Sequence, residues 1–495
     1  LSYSKGCKKE YQASVKKKKL KTRQHKNRNM KFVKTTYRII AVTGVALLMQ
    51  SCFSAKTYKR PDVQAENLYR TEVMAKDSTS MADVTWEKMF TDPVLQKHIN
   101  KGLQSNFDIR VALQNITAAN AYLKQAKVGY FPTLSAKSTW THQEFAKNSQ
   151  FGSLFSNLDQ YELSGSLSWE ADIWGKIRSN KRAASASYLQ TIAANQAVKT
   201  QVITSIAATY YQLLSLDAQL EIAEKTLNNR NESVETILAL KEAGSVNEVG
   251  VKQTEAQKYS TELIIEDLKN NIVLMENYMS LLLGEAPHEI ERTTLAEQEL
   301  NPEIKLGYSA SLLRNRPDVV AAEYGLVNAF ELTNVARSNF YPSFTVTASG
   351  GLQSIELKEW FSANSIFANV ITGLTQPIFN GRQIRTQYEV QKTAQEQAYI
   401  QFEQTLVTAG KEVSDALANY TNETKKLTIR EKQVDALVKA ADYSDELLDY
   451  GLVNYLEVLT AKDNALNSEL SLIDNKYQQY QAIINLYKAL GGGWQ

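Results

Sequence analysis

Proline is scarce in this chain of 495 residues, and the places that lack it are informative. The eight prolines are Pro61, Pro93, Pro132, Pro287, Pro302, Pro317, Pro342 and Pro377, so none falls between 133 and 286 or after 377. Proline breaks a helix interior, and both stretches are therefore open to very long helices. Glycine is missing from the same places: there is none between Gly175 and Gly244, and only Gly410 between Gly381 and Gly451. Cysteine is limited to Cys7 and Cys52, so the body of the chain has no intrachain disulfide to form. The four histidines, His25, His98, His142 and His288, are scattered, and none pairs at metal-ligand spacing. A nucleophile elbow, a metal-binding helix motif and a dinucleotide fingerprint are all absent. The stretch Gly244–Lys252 lacks phosphate-loop spacing, and the seven methionines form no row. These absences predict a protein that is not an enzyme and holds no metal.

Charge is unevenly placed. Residues 1–51 carry 14 Lys or Arg against one acid, Glu10, which leaves 42 basic and 52 acidic residues in the rest. An acidic body argues against nucleic acid as a partner. Residues 1–29, with Lys16-Lys17-Lys18-Lys19, read as an upstream extension foreign to the protein, and Met30 reads as its start. From there the pattern is a secretory leader over 30–51: Lys31, Lys34 and Arg38, then an apolar run from Ile39 to Met49 too short to span a bilayer. Leu48-Met49-Gln50-Ser51-Cys52 resembles a bacterial lipobox. The expected mature chain begins at Cys52, with diacylglycerol on its thiol and an acyl chain on its amine. No other cofactor is expected.

The long proline-free stretches have a heptad period. Tyr399, Leu406, Val413, Tyr420, Leu427, Val434, Ala441 and Leu448 stand at steps of seven, as do Ile206, Leu213, Leu220, Leu227 and Val234. Leu459, Leu466, Ile473, Tyr480 and Tyr487 form another such row, and Ile265, Leu268, Ile272, Met275, Met279 and Leu282 alternate steps of three and four. A sustained period of 3.5 means coiled-coil packing. The run Lys176–Ala243 alone predicts about 100 Å of helix at about 1.5 Å per residue. Shorter helices are predicted over Asp108–Gly129 and Asp318–Asn339, with Asp108 and Asp318 near their starts and Pro317 at a first helical position.

The chain is also a tandem duplication. Asp108 precedes Pro132 by the same interval that separates Asp318 from Pro342. Gly244 and Gly284 recur as Gly451 and Gly491, 207 positions on, and the heptad rows of the two halves keep that offset. A period of this length is no solenoid repeat. Each copy is predicted to hold a short helix, strands, a long helix, a tight turn at glycine and a returning helix.

After Tyr130-Phe131-Pro132 and Phe340-Tyr341-Pro342 the period switches to two. Leu134, Ala136 and Trp140 alternate with Thr133, Ser135 and Thr139. Tyr161, Leu163, Gly165, Leu167 and Trp169 alternate with Glu162, Ser164, Ser166, Ser168 and Glu170, and Phe344, Val346, Ala348 and Gly350 with serines and threonines. A fourth strand is predicted over Ile366–Gln376. Half-apolar strands of about ten residues fit a transmembrane β-barrel, and Tyr130, Phe131, Phe340 and Tyr341 would sit at its interfacial belt. Four strands are too few to close a barrel, and an open edge cannot face lipid. Membranous strands would require several copies.

Taken together, the motifs resemble the TolC-like outer-membrane efflux family, in its lipoprotein branch serving proton-driven RND-type pumps. They are Trp86…Phe90-x-Asp92-Pro93-x-Leu95, Tyr130-Phe131-Pro132, Trp169-Glu170-x-Asp172-Ile173-Trp174-Gly175-Lys176-Ile177-Arg178, Arg316-Pro317-Asp318-Val319-x-Ala321-Ala322-Glu323, Phe340-Tyr341-Pro342, Pro377-Ile378-Phe379-Asn380-Gly381 and Gly451-Leu452-Val453-Asn454-Tyr455-Leu456-Glu457-Val458-Leu459. The resemblance implies an α+β membrane protein. A homotrimer would share one β-barrel in outer-membrane lipid, and a coiled-coil α-helical barrel would extend into the periplasm toward a periplasmic adaptor and an inner-membrane RND-type pump. It implies adaptor contact at the tips, Gly244, Ser245, Val246, Gly451, Leu452 and Val453. It implies a periplasmic gate at Leu456, Glu457 and Thr460, with Thr460 in place of a common Asp. The first copy has Val249, Gly250 and Gln253 there.

The expected organisation after the leader is a lipidated segment with a first short helix over 52–105 and a first repeat over 106–284. Within that repeat the strands lie near 133–170 and the hairpin at 175–284. A linker follows over 285–314, then a second repeat over 315–491, with strands near 343–376 and the hairpin at 381–491. The function implied is a passive exit duct. The duct of a protein-secretion system and a structural periplasmic coiled-coil spacer are the alternatives.

Overall fold

The structure, a computed structural model, describes residues 55–61, 84–150, 152–154, 156–298 and 316–494. The expectations for residues 1–29, the leader 30–51 and the anchor Cys52 lie outside the described residues, as do residues 299–314 of the linker. The described residues divide into two compact units.

One unit includes residues 130–179 and 334–388 and is built on a sheet. Strands β1 (Thr133–Glu144), β2 (Asn157–Glu170), β3 (Ser343–Ser354) and β4 (Ile366–Thr375) lie in the order β1-β2-β3-β4, all antiparallel. Each copy thus contributes one hairpin. The strands β1 and β3 start where the alternation starts, just after each aromatic-aromatic-Pro, but run past its apolar part into Thr141–Glu144 and Gly351–Ser354. Along Thr141–Glu144 the ladder continues through polar residues, which a hydrophobic period does not reveal, and Gly351–Ser354 hold a single apolar side chain, Leu352. Gly351 is required by close approach: an added Cβ would stand 2.0 Å from the Leu163 carbonyl oxygen across the ladder.

The other unit includes residues 58–129, 180–333 and 389–494 and is helical. Two short helices, α1 (Trp86–Met89) and α2 (Pro93–Ser105), stand where one was expected. They part because the carboxylate of Asp92 caps α2, accepting from Val94 N at 2.7 Å, with Pro93 in the first turn. Helix α3 (Phe107–Val128) is capped by Asn106, whose Oδ1 accepts from Asp108 N at 2.9 Å. Asp108 therefore lies inside the first turn and does not cap it. The long helices α4 (Lys176–Glu242) and α7 (Gln383–Asp449) are 67 residues each. The returning helices are α5 (Glu248–Leu283) and α8 (Tyr455–Ala489), and α6 (Pro317–Ser338) is the second copy's short helix. Every member of the predicted heptad rows is buried or half-buried.

The two copies are tied off in the same way. Asn106 Nδ2 donates to Leu282 O at 2.9 Å, and an Arg316 Nη donates to Ala489 O at 2.8 Å, carbonyls that are 207 positions apart. Each returning helix ends at a glycine with positive φ, Gly284 at 74° and Gly491 at 89°. A Cβ at Gly284 would stand 2.5 Å from the Ser105 carbonyl oxygen, whereas one at Gly244 would meet nothing within 4 Å. The left-handed conformation costs a non-glycine residue about 1–2 kcal/mol. Gly284→Ala is therefore expected to destabilise the helical unit by more than that, and Gly244→Ala by about that amount alone. Urea titration of the two variants, followed by helical circular dichroism, checks the order.

The core joins Phe90, Leu95 and Ile99 to Ile206, Tyr210, Leu213, Ile484 and Tyr487. Tyr211 stacks on Tyr480 at 4.9 Å, and Phe90 meets Tyr487 edge-on at 6.1 Å. Asp92 is the polar centre of this region. Its Oδ2 accepts from Tyr210 Oη at 2.8 Å, Thr293 Oγ1 at 2.5 Å and Gln298 Nε2 at 2.8 Å. Burial pushes its carboxyl pKa up, but the hydrogen bonds from Thr293, Tyr210, Gln298 and Val94 N outweigh burial and hold it below the usual carboxylate value. A depressed folded pKa gives stability that is present at neutral pH and lost as pH falls through the depressed value. An Asp92→Asn variant is expected to be less stable at pH 7 and to lose less on acidification. Urea midpoints at pH 7 and in mild acid check this.

Candidate functional site: hairpin tips, gate and aromatic belts

The turns between long and returning helices are built alike. Gly244 N donates to Lys241 O and Ser245 N to Leu240 O, both at 2.9 Å. Gly451 N donates to Leu448 O at 2.9 Å and Leu452 N to Leu447 O at 3.0 Å. These are Schellman closures with the glycine left-handed, φ 76° and 67°. Asn247 Oδ1 then caps α5 through Gly250 N at 3.2 Å, and Asn454 Oδ1 caps α8 through Glu457 N at 3.1 Å. Gly244, Ser245 and Val246 thus share one turn, and Gly451, Leu452 and Val453 the other. Only the two valines in these turns are half-buried; the rest are exposed. Across the first turn, Lys241 pairs with Glu248, and this ion-paired hydrogen bond holds the Glu248 carboxyl below its usual pKa.

Leu456, Glu457 and Thr460 occupy the first turns of α8, all exposed, Leu456 at 54%. Among the described residues their hydrogen bonds are local. Asn454 Nδ2 donates to Glu457 Oε1 at 3.0 Å, and Thr460 Oγ1 donates to Leu456 O at 2.8 Å. Glu457 and Asn454 therefore form a reciprocal cap, a relative of the capping box. The Asn-x-x-Glu spacing was the signal for it, and sequence reasoning read only the charge.

Sequence reasoning also missed Arg230. Its guanidinium donates to Gln257 Oε1 at 3.0 Å and to the Gln257 carbonyl, and pairs with Asp463, so it joins α4, α5 and α8. Leu216, Ala223, Arg230 and Ile237 stand at steps of seven and are all buried. An arginine at a core heptad position was the available signal.

In the sheet unit the register separates two faces. Leu134 lies opposite Leu167, which lies opposite Ala348, which lies opposite Val370. On this face Leu134, Leu163, Ile366, Val370 and Leu374 are all exposed. The other face is mostly polar, with Leu158, Phe367 and Ile371 as exceptions: Ser135 Oγ and Ser166 Oγ are 2.7 Å apart, and Ser164 Oγ donates to Glu162 Oε1 at 2.6 Å. Aromatic groups gather at both ends of the strands. Next to the starts of β1 and β3, Tyr130, Phe131, Phe340 and Tyr341 are exposed by 37–69%. Trp169 Nε1 donates to Tyr130 O at 2.9 Å, and Trp174 stacks on Tyr341 at 4.8 Å. At the other end stand Trp140, Tyr161, Trp360 and Phe361, with Tyr161 and Trp360 rings 5.7 Å apart. From Leu134 to Trp140 a strand climbs roughly 20 Å, close to the roughly 25 Å apolar band of membrane barrels between aromatic girdles. The sequence reading named only the first belt. The second gathers residues from a strand, its partner and a loop, which only the register brings together. Among the described residues no helix is long and apolar enough to cross a membrane.

Comparisons with known proteins agree on one family. The sequence model described as "Outer membrane efflux protein" matches residues 98–285 and 295–492. The probable outer membrane lipoprotein SilC of Salmonella typhimurium is 27% identical, over 92% of this chain and 99% of its own length. The toluene efflux pump outer membrane protein TtgI of Pseudomonas putida is 29% identical, over 82% of this chain and 87% of its own length. Among solved structures, CusC superposes with a TM-score of 0.80 at 26% identity, over 89% of this chain and all of that one. The outer-membrane channel OprN gives 0.81 at 22%, over 89% of this chain and 99% of that one, a likeness of fold.

Proposed function

The chain belongs to the outer membrane efflux protein family, and from that premise we propose that it is the exit duct of a tripartite efflux system, conducting small molecules or metal ions passively out of the cell. The protein is an outer-membrane efflux component and not an enzyme. The observation that carries the duct reading is the sheet: four strands, apolar on one face and polar on the other, with aromatic belts at both ends and, among the described residues, no strand partner at either edge. An unpaired edge is not tolerated in lipid. Three copies supply twelve strands, enough to close a barrel with its polar face inward. The long hairpins then reach into the periplasm, where about 100 Å of helix suits a tunnel.

In this reading the turns at Gly244-Ser245-Val246 and Gly451-Leu452-Val453 meet a periplasmic adaptor, which couples the duct to an inner-membrane pump. Leu456, Glu457 and Thr460 line the narrow periplasmic end. Three copies of Glu457 make an acidic ring there, favouring cations. Tyr130, Phe131, Phe340 and Tyr341 anchor the barrel at the periplasmic interface, and acyl chains on Cys52 add a second anchor. Relatives named for cation efflux, such as CusC, and for toluene efflux, such as TtgI, both match this chain over most of its length. Cargo is therefore set by the pump.

Deleting the gene tests the reading. Sensitivity to at least one class in a panel of drugs, solvents and metal salts is expected to rise and to be restored by the full chain. An unchanged panel, with adaptor and pump expressed, contradicts it.

A further inference from the structure

The loop that joins β3 to β4 carries more bare apolar surface than a loop in water has use for. It reads Ile355-Glu356-Leu357-Lys358-Glu359-Trp360-Phe361-Ser362-Ala363-Asn364-Ser365. Ile355, Leu357 and Phe361 are 62%, 60% and 70% exposed, and apolar residues bared together, unlike those scattered singly, mark a contact surface. The backbone of the loop is closed on itself in two 3-10 turns, Leu357–Glu359 and Ala363–Ser365. Trp360 N donates to Leu357 O at 3.3 Å, Ser362 N to Glu359 O at 3.0 Å and Ser365 N to Ser362 O at 3.1 Å. Ser365 Oγ also donates to the Glu359 carbonyl, at 2.6 Å. Irregular backbone beside lipid must find its partners within the protein, and these bonds provide them.

Trp360 fixes the side of the sheet toward which the loop folds. Its ring centroid is 5.7 Å from that of Tyr161 and 5.0 Å from that of Phe361. Tyr161 lies opposite Trp140 and, at even steps from Leu163 and Leu167, belongs to the apolar face. The loop therefore folds toward the apolar face and not over the polar one. Its Lys358 pairs with Glu356 at 2.8 Å, which lowers the cost of bringing either charge close to an apolar medium.

We propose that Ile355–Phe361 is a membrane foot whose partner is a lipid surface. Leu357 and Phe361 enter the boundary between headgroups and acyl chains, while Lys358 stays among the headgroups. Segments that combine bare apolar residues with charged ones settle with the apolar side about 5–10 Å into that boundary. The foot is continuous with the aromatic row of Trp140 and Tyr161, where the apolar part of the strands ends and His142 and Glu144 follow on β1. A protein of the outer membrane has a lipid surface at that level. This rests on the reading that the apolar face of the sheet meets lipid, and it goes beyond it: a connecting loop, and not only the strands, sets how deep the protein sits, and this loop leaves the polar side uncovered.

Nitroxide labels on the full chain, reconstituted in phosphatidylcholine–phosphatidylglycerol vesicles, test the proposal. Leu357→Cys, Lys358→Cys, Phe361→Cys and Val370→Cys are labelled one at a time, with the unaltered chain as background for Cys7 and Cys52. Val370 reports on the apolar face of the sheet. Collisions with oxygen, which concentrates in lipid, are compared with collisions with a water-soluble nickel chelate. The ratio of oxygen to nickel collisions is expected to be high at Leu357, Phe361 and Val370 and several-fold lower at Lys358. Nickel prevailing at Leu357 and Phe361 while oxygen prevails at Val370 would put the loop in water and overturn the foot. Exclusion of both reagents at Leu357 and Phe361 would show protein, including a second copy, covering the loop, and would overturn it equally. Nickel prevailing at Val370 would overturn the lipid-facing reading of the sheet itself, and the foot with it.

Discussion

Arg316→Ala is expected to destabilise the helical unit by about 3 kcal/mol, the low end of the range for removing one member of a buried ion pair. The guanidinium side chain is 6% exposed. Its Nε and one Nη hold both oxygens of Asp318 at 3.0 and 2.7 Å, the same Nη reaches Glu412 at 2.6 Å, and the other takes the Ala489 carbonyl. Truncation leaves two carboxylates and one helix-end carbonyl without their donor. Both carboxylates are 41% exposed, so water absorbs part of the loss, which places the estimate low in that range. Arg316→Lys keeps the charge but not the planar fork and is expected to fall between. Urea titration followed by helical circular dichroism reads all three proteins. An alanine variant as stable as the parent would show that the tie between α6 and the end of α8 is incidental.

The residues proposed as the gate carry the other large effect. Leu456→Ala together with Glu457→Ala is expected to raise single-channel conductance several-fold, because both remove bulk or charge from the proposed gate. Glu457 has two roles, and a milder variant separates them. Glu457→Gln keeps an acceptor for Asn454 Nδ2 and so keeps the cap, but it removes the charge of the proposed ring. It is expected to reduce cation preference without loss of stability. Unchanged conductance in the double variant would remove these residues from the gate.

The fold was legible to the extent that it is periodic. Missing prolines and heptad rows located a helix over Lys176–Ala243, and α4 runs Lys176–Glu242. Alternation after each aromatic-aromatic-Pro located β1 and β3 to the residue at their starts. It failed at their far ends, where Thr141–Glu144 pair through the backbone with no apolar side chain to mark them. What the sequence did not disclose is contact at long separation. Asp92 meets Thr293, Arg230 meets Asp463 and Arg316 meets Ala489, each between residues more than a hundred positions apart. Local pattern could have flagged only Arg230, by its heptad position. At the tips the glycines were legible because a left-handed turn needs them, while the Asn454–Glu457 cap was overlooked beside the more conspicuous charge.

The central claim is that this chain forms a passive conducting path through the outer membrane. Single-channel recording on the detergent-extracted full-length protein in planar lipid bilayers tests it directly. The account predicts discrete current steps from oligomers, with no added energy source and with current following the applied voltage. Bilayers that contain inserted oligomers yet stay silent, for the parent chain and for the Leu456→Ala/Glu457→Ala variant alike, would contradict it.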